Sequence, residues 1–485
     1  MDRDEPRFAE ASREMRERQD YVVPYFNNKY RFDKPPFIYW TQIASYHLFG
    51  ENDFAARLPS GIAAALTAVL LFAWGRRLGS ERVGWWAAII FSLCLQTFVH
   101  ARAAVADMWL VFFVTAAFWA AYELMADWLN PSIAVESRHL KYWRFAFYVT
   151  LAFAFLAKGP LGWMPLATAA SMKFFLRGRP LNRRFWFASG CLLTVAIVLL
   201  WGIPALIRTK GEFFWVGIGR HVVERSFGAL EGHGGQTLSS YFLTLPFYFG
   251  TVFFSFFPWS IKLPALTKHL WRRRDGIDTY LIMGTAIIFL LMTIVKTKLP
   301  HYTLTAFPLL SLLLARHIFE LRSFFAQLLR RFLPNLALTR RLLELPPSRR
   351  FAVRAAVGAL ILWLAVSLLV FPIAARSFPT VQLFEKAKND LQPEMHFGNV
   401  DYAEPSVVWY FRSRVHGFSW SGRPQDVKAY MAMAGPKFII VPTDVAKAAY
   451  PELPPGWKSH NARGFNFAKG KSADLTLIVK PAEEP

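Results

Sequence analysis

Acidic residues are the scarce charge in this chain. Of 485 residues, 33 are Asp or Glu against 56 Lys or Arg, a formal net charge of +23. Cysteine is nearly absent. The two present, Cys94 and Cys191, both lie inside apolar runs. That placement excludes a disulfide framework and a thiolate metal site, and reads as buried thiols. Several signatures of soluble enzymes are also missing. There is no HExxH. The triplet Gly470-Lys471-Ser472 has Phe465 where a P-loop needs its first glycine. The one Asn-x-Ser/Thr match, Asn130-Pro131-Ser132, carries the proline that bars glycosylation. The chain opens on charges, so no cleavable signal peptide is visible. No long internal repeat is present.

What is abundant is apolar surface. Hydrophobic residues make up 54% and aromatic residues 16%, with mean hydropathy +0.25. That is too apolar for an ordinary soluble enzyme of this length. A pI near 10.1 in a soluble protein would suggest nucleic acid. Here the basic residues come in short clusters between apolar runs, which is the pattern of cytoplasmic loops. Membrane spans are predicted at 58–75, 83–100, 104–125, 143–157, 161–177, 185–207, 240–261, 278–295, 301–318 and 352–373. The segments 75–82, 137–144, 177–184, 268–274 and 316–351 are rich in Arg and Lys, hence cytoplasmic. The others are then extracytoplasmic: a first outer loop at 1–57, short turns at 101–104, 158–160 and 296–300, a third outer loop at 208–239, and everything after 374. An outward-facing start at 1–57 calls for a way across the membrane ahead of it.

The first outer loop is organised in two parts. Residues 5–18 predict a short amphipathic helix, with Phe8, Ala11 and Met15 on one face and Arg and Glu covering the other. Pro6 suits its first turn, with Asp4 or Glu5 at the cap. Residues 37–49 are aromatic but too short to span, and are expected in the interface. Beyond 374 the character changes. Strands are predicted at 396–400, 437–442 and 475–480, and helices at 404–411, 424–434 and 443–450. The expected architecture is therefore a mainly α polytopic membrane domain, residues 1–374, with a small extracytoplasmic α/β domain, residues 375–485.

Every strong candidate for chemistry falls on the outer side. Asp4, Glu5 and Arg7 lie in the first loop, followed by Asp33 and Lys34 before Pro35-Pro36. Asp107 begins a span, and Lys158 precedes Gly159-Pro160. His221, Glu224, Arg225 and His233 lie in the third outer loop. Lys296, Lys298, His301 and Tyr302 come late. Carboxylates can act as bases or hold a metal, and Lys, Arg and Tyr can hold a phosphate. Each has a plainer reading. Asp4 and Glu5 can be helix caps, Asp33-Lys34 a surface pair, Lys158 a snorkelling helix end, His221-Glu224-Arg225 a solvated face, and Tyr302 a belt aromatic. His233, in a glycine-rich stretch, reads as loop. Asp107 is hardest to dismiss, because a carboxylate at the edge of a span is costly without a role.

The motifs DEPRFAEASREM, FDKPPFIYW, ADMW, KGP, RHVVER and KLPHYTL, in that order over residues 2–320, resemble those of the GT-C membrane glycosyltransferases. The resemblance is to glycosyltransferase family 39, which includes protein O-mannosyltransferases, and within it to the bacterial aminoarabinose transferases that modify lipid A. It implies a bacterial inner-membrane enzyme whose site faces the periplasm. There a sugar would pass from a polyprenyl phosphate to a glycolipid or protein acceptor, with no nucleotide sugar and no nucleic acid involved. The resemblance maps the catalytic carboxylates onto Asp4 and Asp107. It maps phosphate-binding groups onto Lys34, Arg225, Tyr302 and Arg7. A divalent metal between Asp33 and His221 is the one cofactor this reading admits. Aminoarabinose transferases usually carry Glu where this chain has Asp33, and relatives carry a transmembrane helix before the acidic motif. The rival from another class is a transporter or flippase of polyprenyl-linked substrates, which would set its polar residues near the bilayer midplane.

Overall fold

The structure, a computed structural model, describes residues 4–133, 136–217, 219, 242–320, 348–466 and 470–482. It divides into two compact units. One comprises 1–31, 39–56 and 362–485, the other 32–38 and 57–361.

The larger unit is helical. Five helices among the described residues are long and apolar enough to cross a membrane: Asp53–Leu78, Arg138–Phe174, Leu181–Arg208, Gly276–Ile294 and Arg350–Ala375. A sixth arises if Phe242–Ser255 and Trp259–Arg272, bent by 114°, are counted as one broken span. This is fewer than the charge pattern predicts. The stretch 83–100 breaks at Cys94 into Glu81–Leu93 and Leu95–His100. The stretch 301–318 is a 3-10 turn followed by Phe307–His317. Asp107–Glu123 is buried along nearly its whole length, so neighbouring helices replace lipid around it. The apolar run Arg138–Phe174 has the hydropathy of one span where two are predicted, at 143–157 and 161–177. It is nonetheless interrupted at the expected place. The helix Ser137–Lys158 stops at Gly159, whose φ of 75° only glycine takes readily. The following residues lie back on the helix, and a Cβ at Gly162 would sit 2.5 Å from the Ala154 carbonyl carbon.

The smaller unit is built on a mixed sheet. A hairpin of β1 (Tyr25–Phe26) and β2 (Lys29–Tyr30) precedes it. The sheet strands are β3 (His396–Val400), β4 (Ser419–Gly422), β5 (Lys437–Pro442), β6 (Lys458–Asn466) and β7 (Lys471–Lys480), in the order β4-β3-β5-β7-β6. β3 runs parallel to β4 and β5, while β7 is antiparallel to β5 and β6. Alternate residues of β5 feed two cores. Phe438 and Ile440 pack with Phe397, Phe411 and Leu477 on one face. Ile439 and Val441 pack with Val427, Met431 and Ile478 on the other. The three predicted strands and three predicted helices are present. β4 and β6 are additional.

The first helix, Glu5–Glu17, belongs to this unit. Phe8, Ala11 and Met15 are buried, as the pattern predicts. Much of its charged face is buried too: Glu5, Glu10, Arg13 and Glu14. Glu10 accepts from Arg13 at 2.7 Å and from Arg412. Arg412 also reaches Glu17 at 2.7 Å, and Arg13 reaches Glu51 at 2.9 Å. The Arg13 guanidinium lies 4.0 Å from the Trp409 ring centre and donates to the Trp409 carbonyl at 3.0 Å. Charged side chains can be buried in this way when they are paired and hydrogen-bonded. The helix is thus an internal strut of the unit that holds the sheet.

Candidate active site

Three chain segments of the larger unit converge on Asp107. The carboxylate opens the Asp107–Glu123 helix and is buried. Its Oδ1 lies 2.5 Å from the Nζ of Lys158, the last residue of the Ser137–Lys158 helix. Only 12% of the Asp107 side chain and 10% of the Lys158 side chain is exposed. His301 Nε2 is 3.9 Å from the same oxygen. The His100 ring lies beside His301 at 5.0 Å between centroids, and a Gln96 amide nitrogen is 3.1 Å from His100 Nδ1. Tyr302 stacks edge-on to His301 at 5.0 Å, and its ring centre is 5.6 Å from Lys158 Nζ.

Local sequence explains these placements. Lys158 is followed by Gly159, so the helix ends there and the ammonium sits beside its C-terminus. Pro300 opens a 3-10 turn over Pro300–Ala306, which presents His301 and Tyr302 ahead of the Phe307–His317 helix. Lys298 holds that turn in place. Its ammonium donates to the carbonyls of Met292, at 3.1 Å, Val295, at 2.6 Å, and Thr293. Met292 and Thr293 lie in the last turn of Gly276–Ile294, and Val295 is its C-cap. Lys298 is therefore a helix cap. A small cavity opens on the cluster, lined in part by Asp107, Lys158, Met292, His301, Tyr302 and Thr305.

The Asp33-Lys34 segment is anchored nearby by Phe37. That ring packs edge-on against Trp109 at 5.1 Å, Phe113 at 5.0 Å and Phe153 at 5.7 Å. Lys34 Nζ donates to the Asp33 carbonyl at 3.0 Å. Lys34 is also close enough to act electrostatically on His301.

Of the sequence-predicted site residues, the structure brings together Asp107, Tyr302 and Lys34, with Lys158 and His301 beside them. Asp4 and Arg7 lie in the other unit and pair with each other at 3.3 Å. Asp4 occupies the N-cap position of its helix, yet its side chain makes no cap hydrogen bond and stays largely exposed. His221, Glu224, Arg225 and His233 lie outside the described residues. Sequence reasoning missed His100. It closes a short apolar helix and carries no local signal beyond being a polar residue at the end of a greasy stretch.

Chemically, the cluster offers one carboxylate held by an ammonium, two imidazoles and a phenol at the edge of apolar helices. Lys158, Lys34 and Tyr302 are donors suited to a phosphate. Asp107, bonded at short range to Lys158, is placed to fix that ammonium.

Known proteins resemble this chain in sequence and in fold. Residues 33–207 match the family described as dolichyl-phosphate-mannose-protein mannosyltransferase. An undecaprenyl phosphate-alpha-4-amino-4-deoxy-L-arabinose arabinosyl transferase of Edwardsiella ictaluri is 28% identical over 326 residues, 65% of this chain and 55% of the relative. A second such transferase, from Sodalis glossinidius, is 30% identical over 321 residues, with the same coverage of 65% and 55%. The matches thus span little more than half the length of these curated relatives. The crystal structure of ArnT from Cupriavidus metallidurans bound to undecaprenyl phosphate superposes with a TM-score of 0.75 at 19% identity, over 99% of this chain and 95% of that one. The oligosaccharyltransferase of Archaeoglobus fulgidus shares the fold more distantly, with a TM-score of 0.52 at 13% identity over 86% of this chain and 60% of that one. Motifs, relatives and fold point the same way: residues 33–207 match the mannosyltransferase family model, and the chain, with five helices among the described residues long and apolar enough to cross a membrane, shares the fold of the ArnT structure.

Proposed function

We propose that this protein transfers a sugar from a polyprenyl phosphate to a lipid A-like glycolipid or a protein, at the extracytoplasmic face of the bacterial inner membrane. The observation that carries the reading is the Asp107–Lys158–His301–Tyr302 cluster, with Lys34 nearby. All five side chains come from helix ends or connecting segments. A transporter of the same lipids would place such groups on broken helices near the midplane. The relatives' names make a 4-amino-4-deoxy-arabinosyl group on undecaprenyl phosphate the first donor to test.

In this reading the leaving group is a lipid phosphate, and its departure spreads negative charge over the phosphate oxygens. Lys34 and Tyr302, with Arg225 and Arg7 from the motifs, stabilise that charge. Asp107 holds Lys158 toward the same developing charge. The anomeric carbon becomes cation-like, and Asp4 stabilises it or accepts the acceptor hydroxyl proton. A single displacement with one such carboxylate inverts the anomeric centre. A divalent metal held by Asp33 and His221 would add a further cation for the phosphate. No step here depends on it.

The test is a transfer assay. Purified protein is mixed with labelled polyprenyl-phosphate sugars and a membrane extract. Label should move with the wild type and fall by orders of magnitude with Asp4→Asn, while the variant melts normally. Wild-type turnover in a folded Asp4→Asn sample removes Asp4 from the site. No transfer from any donor by folded wild type shifts the reading to the transporter.

A further inference from the structure

At the far end of the Phe307–His317 helix lies a second cluster, unconnected with the sugar-transfer reading. The Leu263–Arg272 helix carries His269 in its last turn, and Phe307–His317 ends on His317. Glu320 follows one turn later. The two imidazole rings are 4.7 Å apart between centroids. Glu320 Oε2 is 3.6 Å from His269 Nε2 and 3.9 Å from His317 Nδ1. One donor atom from each of the three residues lies within 4.8 Å of the others.

The decisive feature is the state of His317. Its Nε2 is 3.1 Å from both oxygens of Asp278, a buried carboxylate. An ionised carboxylate only accepts, so the ring proton sits on Nε2 and the Nδ1 lone pair faces the other way. That Nδ1 is buried and has no hydrogen-bond partner. A buried lone pair left unmet is costly, and here it points toward Glu320. A carboxylate that fixes one imidazole nitrogen while the other is presented outward is the usual support of a histidine metal ligand. Charge favours a cation as well. Asp275 and Asp278 share one guanidinium, that of Arg316, which bonds Asp275 at 2.6 Å and also Asp278.

We propose that His269, His317 and Glu320 form a divalent transition-metal site, best suited to zinc, that pins the ends of the two helices together. Two imidazoles and one carboxylate are zinc ligands, leaving a fourth position to water beside the exposed Glu320. A tetrahedron with arms of 2.0–2.1 Å has edges of about 3.4 Å. The observed separations therefore need to close by only a few tenths of an ångström to somewhat over 1 Å. The cation replaces the proton that would otherwise have to sit on Nδ1.

The test uses tag-free, full-length protein in detergent, stripped with a chelator and titrated with zinc, with cobalt as a spectroscopic substitute. His221→Gln is the background, so that any metal held with Asp33 does not contribute. One zinc per chain and the intense visible bands of four-coordinate cobalt are expected. Glu320→Gln, on an exposed side chain that should leave folding intact, should weaken binding by about tenfold or more, and His269→Gln by about 100-fold. Zinc should raise the melting temperature of the background protein and not of His269→Gln. Absence of zinc binding in the background protein, or binding in Glu320→Gln and His269→Gln as tight as in the background, overturns the proposal. In that case the gap holds a proton.

Discussion

Replacing Lys158 by Met separates what the Asp107–Lys158 pair does for stability from what it does for transfer. At 2.5 Å the Coulomb attraction is about 7 kcal/mol at an effective dielectric of about 20. Desolvation offsets several kcal/mol of that per ion. Removing only the lysine leaves the desolvation of Asp107 with no partner, and the expected loss is about 3–5 kcal/mol, a fall in melting temperature on the order of 10 °C. Replacing both partners, as Asp107→Leu with Lys158→Met, removes the buried charge as well. Stability should return close to wild type, because apolar groups of similar volume replace buried ion pairs at little cost. Transfer should not return. Thermal unfolding in detergent and label transfer from a polyprenyl-phosphate sugar are measured on the same three samples. If Lys158→Met melts like wild type, the pair is solvated and the burial argument is wrong. If the double variant transfers sugar at the wild-type rate, the pair is only a strut and the site lies elsewhere.

Other consequences follow from the two units. Arg412→Met leaves buried Glu10 to Arg13 and should cost about 1–3 kcal/mol, with loss of hydrogen-exchange protection over Glu5–Glu17. The added change Glu10→Gln should restore much of it. Asp390 meets Lys458 at 2.5 Å and His460 at 2.8 Å. Burial pushes its carboxyl up, but these hydrogen bonds and charges outweigh it and hold the carboxyl below the ordinary range. A depressed carboxyl contributes stability above its unfolded value of about 3.9, and that contribution is lost as pH falls through the folded value. Protection of β6 should therefore fall below about pH 4 in wild type and be flat there in Asp390→Asn. At Gly84 an added Cβ would lie 2.3 Å from the Phe72 carbonyl oxygen. Gly84→Ala should push Asp53–Leu78 and Glu81–Leu93 apart at about 1–3 kcal/mol, read as a lower melting temperature.

Much of the fold is legible where burial writes a period into the sequence. β3, β5 and β7 are apolar on both faces, so FGNV, KFIIVP and LTLIVK stand out. β6, KSHNARGFN, does not, because it is an edge strand with most residues at least partly exposed. β4 is likewise a four-residue edge. The span count fails for a related reason. Hydropathy marks a helix as apolar without saying whether lipid or another helix covers it. Asp107–Glu123 and Phe307–His317 are apolar because they are internal. Glu5–Glu17 shows another limit. Its amphipathic pattern marks a charged face without saying what meets it, and Arg412, some four hundred positions away, is among the partners that let Glu10 be buried.

The site shows the same limit at the level of single residues. Lys158 and Lys298 look alike in sequence, each a lysine where an apolar helix gives way to a Gly-Pro or Leu-Pro turn. Their environments differ completely. Lys298 donates to three backbone carbonyls at the end of the helix it caps. Lys158 reaches across to Asp107 on another helix, beside a cavity and two imidazoles. Helix propensity and hydropathy are local, whereas the pairing of a buried charge is decided by what another segment brings to it. Asp107 could be singled out because an acidic residue at the start of so apolar a helix demands a partner. Which lysine answers it becomes visible only when the helices are packed.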